Sequence, residues 1–218
     1  MTAVRPTQLV VVAGTATDVG KTWVAAELAR DLWSRNVSVC ARKPAQSFHA
    51  TDIVTDADVL GLATGENPLF VCPAHRRYEL PMAPPMAADA LFRPVIAVGE
   101  LLDEVMGGWP DYGVDVGLVE LAGGPRSPLA HDADCVEFTQ AVDPDVIVLV
   151  ADAGLGTVTA VRTALPAFGP LTDRVVLHLN RYDDQLDLHR RNRTWLAERD
   201  GFALTTDIAS LADRVHTT

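Results

Sequence analysis

The sequence predicts an α/β fold: a doubly wound, mainly parallel sheet with helices on both faces. Three observations carry that expectation. Four short runs rich in β-branched residues, LVVVA (9–13), VSVCA (37–41), VGLVEL (116–121) and VIVLVA (146–151), lack strict alternation, as do parallel strands buried on both faces. Helix-like stretches separate several of these runs, which implies βαβ crossovers and an open sheet. A glycine-bearing turn also lies directly between the first run and a helical segment.

In chain order, residues 9–13 form the first expected strand and GTATDVGKT (14–22) the turn after it. Between Trp23 and Ser34, the apolar Trp23, Ala26, Leu28, Ala29, Leu32 and Trp33 define a broad helical face expected to pack on the sheet. The run at 37–41 is the second strand. It leads through ARKPAQS to TDIVTDADVLGLATG, where aspartates precede an apolar helix. Residues 73–94 carry Pro73, Pro81, Pro84, Pro85 and Pro94, too many for a central strand or an uninterrupted helix, so a long connection is expected. The strand at 116–121 enters AGGPRSPLAHDAD (122–134), a turn cluster at the carboxyl edge, where open α/β sheets bind ligands. After 146–151 come a fifth strand, VVLHLN (175–180), and a weaker sixth around Phe202–Thr206. With no internal repeat, low-complexity tract or linker, residues 1–218 are expected to form a single domain.

Composition excludes several classes of function. A chain of 218 residues buries about 70% of its unfolded surface, and 48% hydrophobic with 22% charged residues describes a globular protein rather than a disordered one. The net charge of −11 speaks against general binding to nucleic acid or an anionic membrane, so any phosphate site must be local. No apolar run approaches the ~20 residues of a membrane span. The N-terminal MTAVRPTQ lacks the features of a secretion signal, and a cytoplasmic location is expected. Cys40, Cys72 and Cys135 are scattered, lack zinc-type spacing and are expected as free thiols. The acidic HDADCVEF around Cys135 argues against a nucleophilic thiolate.

The turn carries the sharpest chemistry. Gly14, Thr15, Ala16, Thr17, Asp18, Val19, Gly20, Lys21 and Thr22 form Gly, five residues, then Gly-Lys-Thr, one residue longer than the common phosphate loop. Such a loop offers backbone N–H groups to phosphate oxygens at a helix N-terminus. Lys21 is expected to reach the β- and γ-phosphates of a nucleotide, and the Thr22 hydroxyl to ligate Mg²⁺. Magnesium held against phosphates takes one or two protein carboxylates. Glu120, ending an apolar strand, is one candidate. Asp56 and Asp58, near a helix start where aspartates also serve as caps, are alternatives for the second. Lys43, held by Pro44 at the end of the second strand, is placed to meet a transferring phosphoryl group or an anionic substrate.

GTATDVGKT, KPAQS, a short aspartate segment, PMAP, VELAGG and LGTVT occur in an order that resembles the dethiobiotin synthetase family, from about Leu9 to Leu211. The resemblance implies an ATP- and Mg²⁺-dependent ligase that carboxylates 7,8-diaminononanoate with CO₂, phosphorylates the carbamate and closes a ureido ring. It gives Thr22, Asp56 and Glu120 to the metal, and selects Asp56 over Asp58 by its distance to Gly65. Lys21, Lys43, Thr17 and Asp18 become the catalytic set, with Thr17, Asp18, Lys43 and Ser47 facing the diamine and its carbamate. Leu155, Gly156, Thr157 and Thr159 resemble the helix start that receives the distant carboxylate across a homodimer interface, and Asn180 resembles the asparagine that reads the base. The chain departs from the family pattern at Ala16, at Leu121, at Thr159-Ala160 and in TTDIASLADRV, which lacks a base-framing proline. Two other readings share the loop: a related ligase or kinase with a different acceptor, and a partitioning-type ATPase switch. The latter usually carries an extra loop lysine, which Thr15, Ala16, Thr17 and Asp18 do not supply.

Overall fold

The computed structural model describes residues 3–216. Its elements in order are β1 (Gln8–Gly14), α1 (Lys21–Ser34), β2 (Val39–Arg42), β3 (Gln46–Ser47), α2 (Asp56–Thr64), α3 (Pro68–Val71), β4 (Arg77–Tyr78), α4 (Pro84–Ala90) and α5 (Val98–Gly107). There follow β5 (Val116–Glu120), α6 (Cys135–Val142), β6 (Val146–Asp152), α7 (Thr157–Ala164), β7 (Val175–Asn180), α8 (Asp187–Thr194), β8 (Leu204–Thr205) and α9 (Ile208–Val215), with 3₁₀ turns at Ala74–Arg76 and Leu165–Arg174 and a π-type turn at Trp195–Arg199.

Six strands form one sheet in the order β2-β5-β1-β6-β7-β8, and every pairing in it is parallel. The period of two along each strand divides the core. Leu9, Val11 and Ala13 of β1, with Ile147, Leu149 and Ala151 of β6, face α5, α6 and α7. Val10 and Val12, with Val148 and Val150, face α1, α2 and α9. Both faces being covered explains why these strands are continuously apolar. The β3–β4 pair forms a separate two-stranded parallel sheet.

The doubly wound architecture is the one the runs predict; the differences are local. Trp23 and Trp33 are 53% and 57% exposed, so the inner face of α1 excludes both and instead carries Val24, Ala25, Ala26, Leu28, Ala29 and Leu32. The connection at 73–94 is more ordered than its prolines imply, because Pro84 and Pro85 stand in the first turn of α4, where no intrahelical N–H is lost. The second strand starts two residues later than expected, at Val39, and the sixth shortens to Leu204–Thr205. Among the described residues no helix is long and apolar enough to cross a membrane. The three cysteines are free and buried.

Candidate active site

Because the strands run parallel, residues that end them share one edge. Gly14 ends β1, Lys43 follows β2, Glu120 ends β5, Leu155 follows β6 and Asn180 ends β7. Register brings Glu120 level with Val12 on β1, two residues before the phosphate loop begins at Gly14. A cavity of about 870 Å³ opens there.

The loop is shaped by its glycines. A Cβ at Gly14 would lie 2.8–2.9 Å from Val19 and Lys21 side-chain atoms, so only glycine lets the loop close over its own base. Gly20 caps α1 at φ 92°, and a Cβ there would sit 2.1 Å from the Asn180 amide nitrogen. Ala16, Thr17 and Asp18 are exposed on the loop and Val19 is buried. Lys21 Nζ donates to the Ala16 carbonyl at 3.0 Å, folding the side chain across the loop. Burial pulls the Lys21 ammonium below its ordinary range, with Glu120 opposing.

Four side chains converge beside it. Thr22 Oγ1 lies 3.0 Å from Asp56 Oδ1 and 2.9 Å from Glu120 Oε1, its single proton available to one carboxylate at a time, and Lys43 Nζ bridges Glu120 Oε1 (2.6 Å) and Asp56 Oδ2 (2.8 Å). Burial by itself would lower the Lys43 pKa, but the two carboxylates more than offset it and hold the ammonium above the usual lysine range. Burial likewise works against ionised Asp56, yet Lys43 keeps it below the ordinary carboxylate range; Glu120 is pushed up by its burial, against the pull of Lys43. Glu120 Oε2 is buried without a hydrogen-bond partner. The chemistry is a hard-oxygen cluster with a neutralising ammonium next to an anion-binding loop.

Asp56 and Asp58 are separated by their surroundings. Asp58 accepts from Thr55 N and Thr55 Oγ1, both at 2.8 Å, which closes a capping box on α2, whereas Asp56, two residues earlier, points at Thr22 and Lys43. Gln46 sets that placement: its amide donates to Thr55 Oγ1 (3.1 Å) and accepts from Ala57 N (3.0 Å), pinning the helix start to β3. Gln46, within KPAQS, carries no signal of this role in the sequence.

Thr17, Asp18, Gly20, Lys21, Thr22, Lys43, Ser47, Asp56 and Glu120 all line the cavity, and the Ser47 hydroxyl is buried and unpartnered. Asn180 is buried behind the loop, its amide donating to the Val19 carbonyl at 2.9 Å. Leu155, Gly156, Thr157 and Thr159 share the edge but do not line this cavity; Leu155 is 92% exposed, and the space around a Gly156 Cβ is open. Leu121 is buried in the core and also borders the cavity. Burial raises the Cys135 thiol to about 12, which fits its inert packing. Arg181, lining the cavity from the end of β7, had no local signal in the sequence.

Fold and site together define a phosphate-loop nucleotide-binding protein of the doubly wound class. A family model for an AAA domain matches residues 8–176. The chain is 35% identical over 156 residues to the ATP-dependent dethiobiotin synthetase BioD of Caulobacter vibrioides, covering 71% of this chain and 70% of that protein. It is 37% identical over 172 residues to that of an Anaeromyxobacter species (77% and 74%), and 32% identical over 210 residues to that of Haloferax mediterranei (89% and 81%). The chain belongs to the dethiobiotin synthetase family. The fold is also that of a plasmid partition protein from Borrelia burgdorferi, with a TM-score of 0.57 at 13% identity over 97% of this chain and 96% of that one. It resembles the cell division protein FtsY of Thermotoga maritima as well, at a TM-score of 0.51 and 15% identity over 100% and 71%.

Proposed function

We propose that the chain is an ATP-dependent ligase that closes the ureido ring of dethiobiotin on 7,8-diaminononanoate. The observation that carries this reading is the Lys43–Asp56–Glu120–Thr22 cluster, 2.6–3.0 Å between partners, beside a lysine-bearing phosphate loop. One amine of the substrate adds to CO₂ to give a carbamate. A carbamate oxygen takes the γ-phosphoryl group of ATP, releasing ADP, and the second amine then attacks the carbonyl carbon and expels phosphate.

In this scheme Lys21 and the loop N–H groups hold the β- and γ-phosphates. Lys43 neutralises charge where carbamate and phosphate meet. Thr17, Asp18 and Ser47 orient the diamine end, and Asn180 together with the loop borders the base. Thr22, Asp56 and Glu120 offer hard oxygens, and the unpartnered Glu120 Oε2 leaves acceptor capacity that suits Mg²⁺. Such an ion supplies charge neutralisation and orientation of the phosphates when bound.

The substrate carboxylate lies several methylenes from its amines. Gly156–Thr159 offers N–H groups at a helix start outside the cavity, so we assign that receptor to the partner of a two-fold homodimer. The enzyme is further proposed to work as one domain in the cytoplasm. ADP release with and without 7,8-diaminononanoate and bicarbonate tests the reading: release that requires both supports it. Turnover on another acceptor would favour a related ligase, and release indifferent to either would favour an ATPase switch.

A further inference from the structure

The end of β7 grips the phosphate loop at two consecutive peptides. Asn180 donates to the Val19 carbonyl at 2.9 Å and the next residue, Arg181, donates through Nη2 to the Asp18 carbonyl at 3.0 Å. The other arm of Arg181, Nη1, meets Asp152 Oδ2 at 2.8 Å, and Asp152 Oδ1 accepts from Gly154 N at 2.8 Å. A continuous path therefore runs from the turn after β6, through Asp152 and the guanidinium, to the loop. Arg181 itself is held at φ 57° and Asp18 at φ 59°, left-handed conformations that non-glycine residues adopt only when their surroundings hold them there.

In a planar trans peptide the carbonyl and the following N–H point in opposite directions. Fixing the Asp18 and Val19 carbonyls against β7 therefore aims the Val19 and Gly20 N–H groups away from β7. That is the orientation an anion cradle needs. We propose that Arg181, set by Asp152, is a positioning residue that locks the phosphate loop in its anion-receiving conformation. The exposed Arg181–Asp152 pair, with side chains 58% and 44% accessible, contributes little to global stability, so its effect falls on the loop. Lysine has one compact head and cannot span Asp152 and the Asp18 carbonyl as the guanidinium fork does.

This inference rests on the reading of residues 14–22 as a phosphate site, and the test separates the two. Binding of ATP, inorganic tripolyphosphate and adenosine is measured by calorimetry for the full-length protein and for Arg181→Ala, Arg181→Lys and Asp152→Asn. Arg181→Ala is expected to weaken ATP and tripolyphosphate alike, on the order of tenfold, with adenosine unchanged. Arg181→Lys recovers part of that loss. Asp152→Asn weakens both phosphate ligands less, and adds little on top of Arg181→Ala because the two act in one path. Loss of adenosine binding with tripolyphosphate unaffected would make Arg181 a base contact and overturn the proposal, as would an unchanged affinity for all three ligands. If the unaltered protein bound neither ATP nor tripolyphosphate, the phosphate-site reading would fall and this proposal with it.

Discussion

Replacing Glu120 by Gln keeps the shape of the side chain and removes its charge, which tests whether the cluster is held by electrostatics. Glu120 and Lys43 have side chains 1% and 2% accessible, and their closest atoms are 2.6 Å apart. Stranding a buried charge by removing its partner costs about 3–5 kcal/mol. Lys43 would keep Asp56 at 2.8 Å, but that carboxylate is 44% accessible and screened, so about 2 kcal/mol is expected. At ~2–4 °C per kcal/mol for a chain of this size, the melting temperature should fall by about 4–8 °C in the absence of nucleotide. Lys43→Met in the Glu120→Gln background removes the stranded ammonium, so the double variant should melt no lower than the single one. Calorimetric melts of the unaltered protein, Glu120→Gln, Lys43→Met and the double variant decide it: an unchanged melting temperature in Glu120→Gln, or a double variant whose loss is the sum of the singles, would refute the charge-pair account. The pH dependence has a defined sign. Lys43 titrates above its unfolded value of 10.5, so its contribution is fully present below that pH and is lost only as pH rises through the higher folded value.

Asp56→Asn should raise the Mg²⁺ concentration needed for ADP release, while Asp58→Asn should leave that requirement alone and cost about 1 kcal/mol of stability through its capping box; Mg²⁺ titrations and melts read the two effects separately. Gly20→Ala combines a left-handed φ with a Cβ 2.1 Å from the Asn180 amide, and urea titrations are expected to show a loss of about 2–3 kcal/mol, of which backbone strain accounts for about 1–2 kcal/mol. His178 is buried beside Thr205, and burial lowers its pKa to about 4. The folded state then resists a proton that the unfolded chain accepts below its value of 6.5, so stability should fall by about 3 kcal/mol from this group between pH 6.5 and 4. Urea titrations of His178→Gln across that range should show a shallower slope than the unaltered protein, and an equal slope would assign the acid sensitivity to other groups.

The sequence by itself determined the parallel sheet and the place of the phosphate loop. Both are written locally: a strand buried on two faces must be apolar at every position, and a loop that presents N–H groups to phosphate needs its glycines and Gly20-Lys21-Thr22 at fixed spacing. Family motifs pointed to Asp56 over Asp58, but the surroundings of the two aspartates come from the fold, through Gln46 pinning the start of α2 and Thr55 engaging Asp58. The exposure of Trp23 and Trp33 was likewise hidden, because composition gives a helix its apolar residues and only packing fixes which side of the stripe meets the sheet. Lys43 and Glu120 are 77 residues apart, and Arg181 reaches Asp18 across 163. Neither contact has a local pattern. Each exists because parallel strands bring distant chain ends to one edge, and side-chain direction at that edge is settled by tertiary hydrogen bonds rather than by spacing.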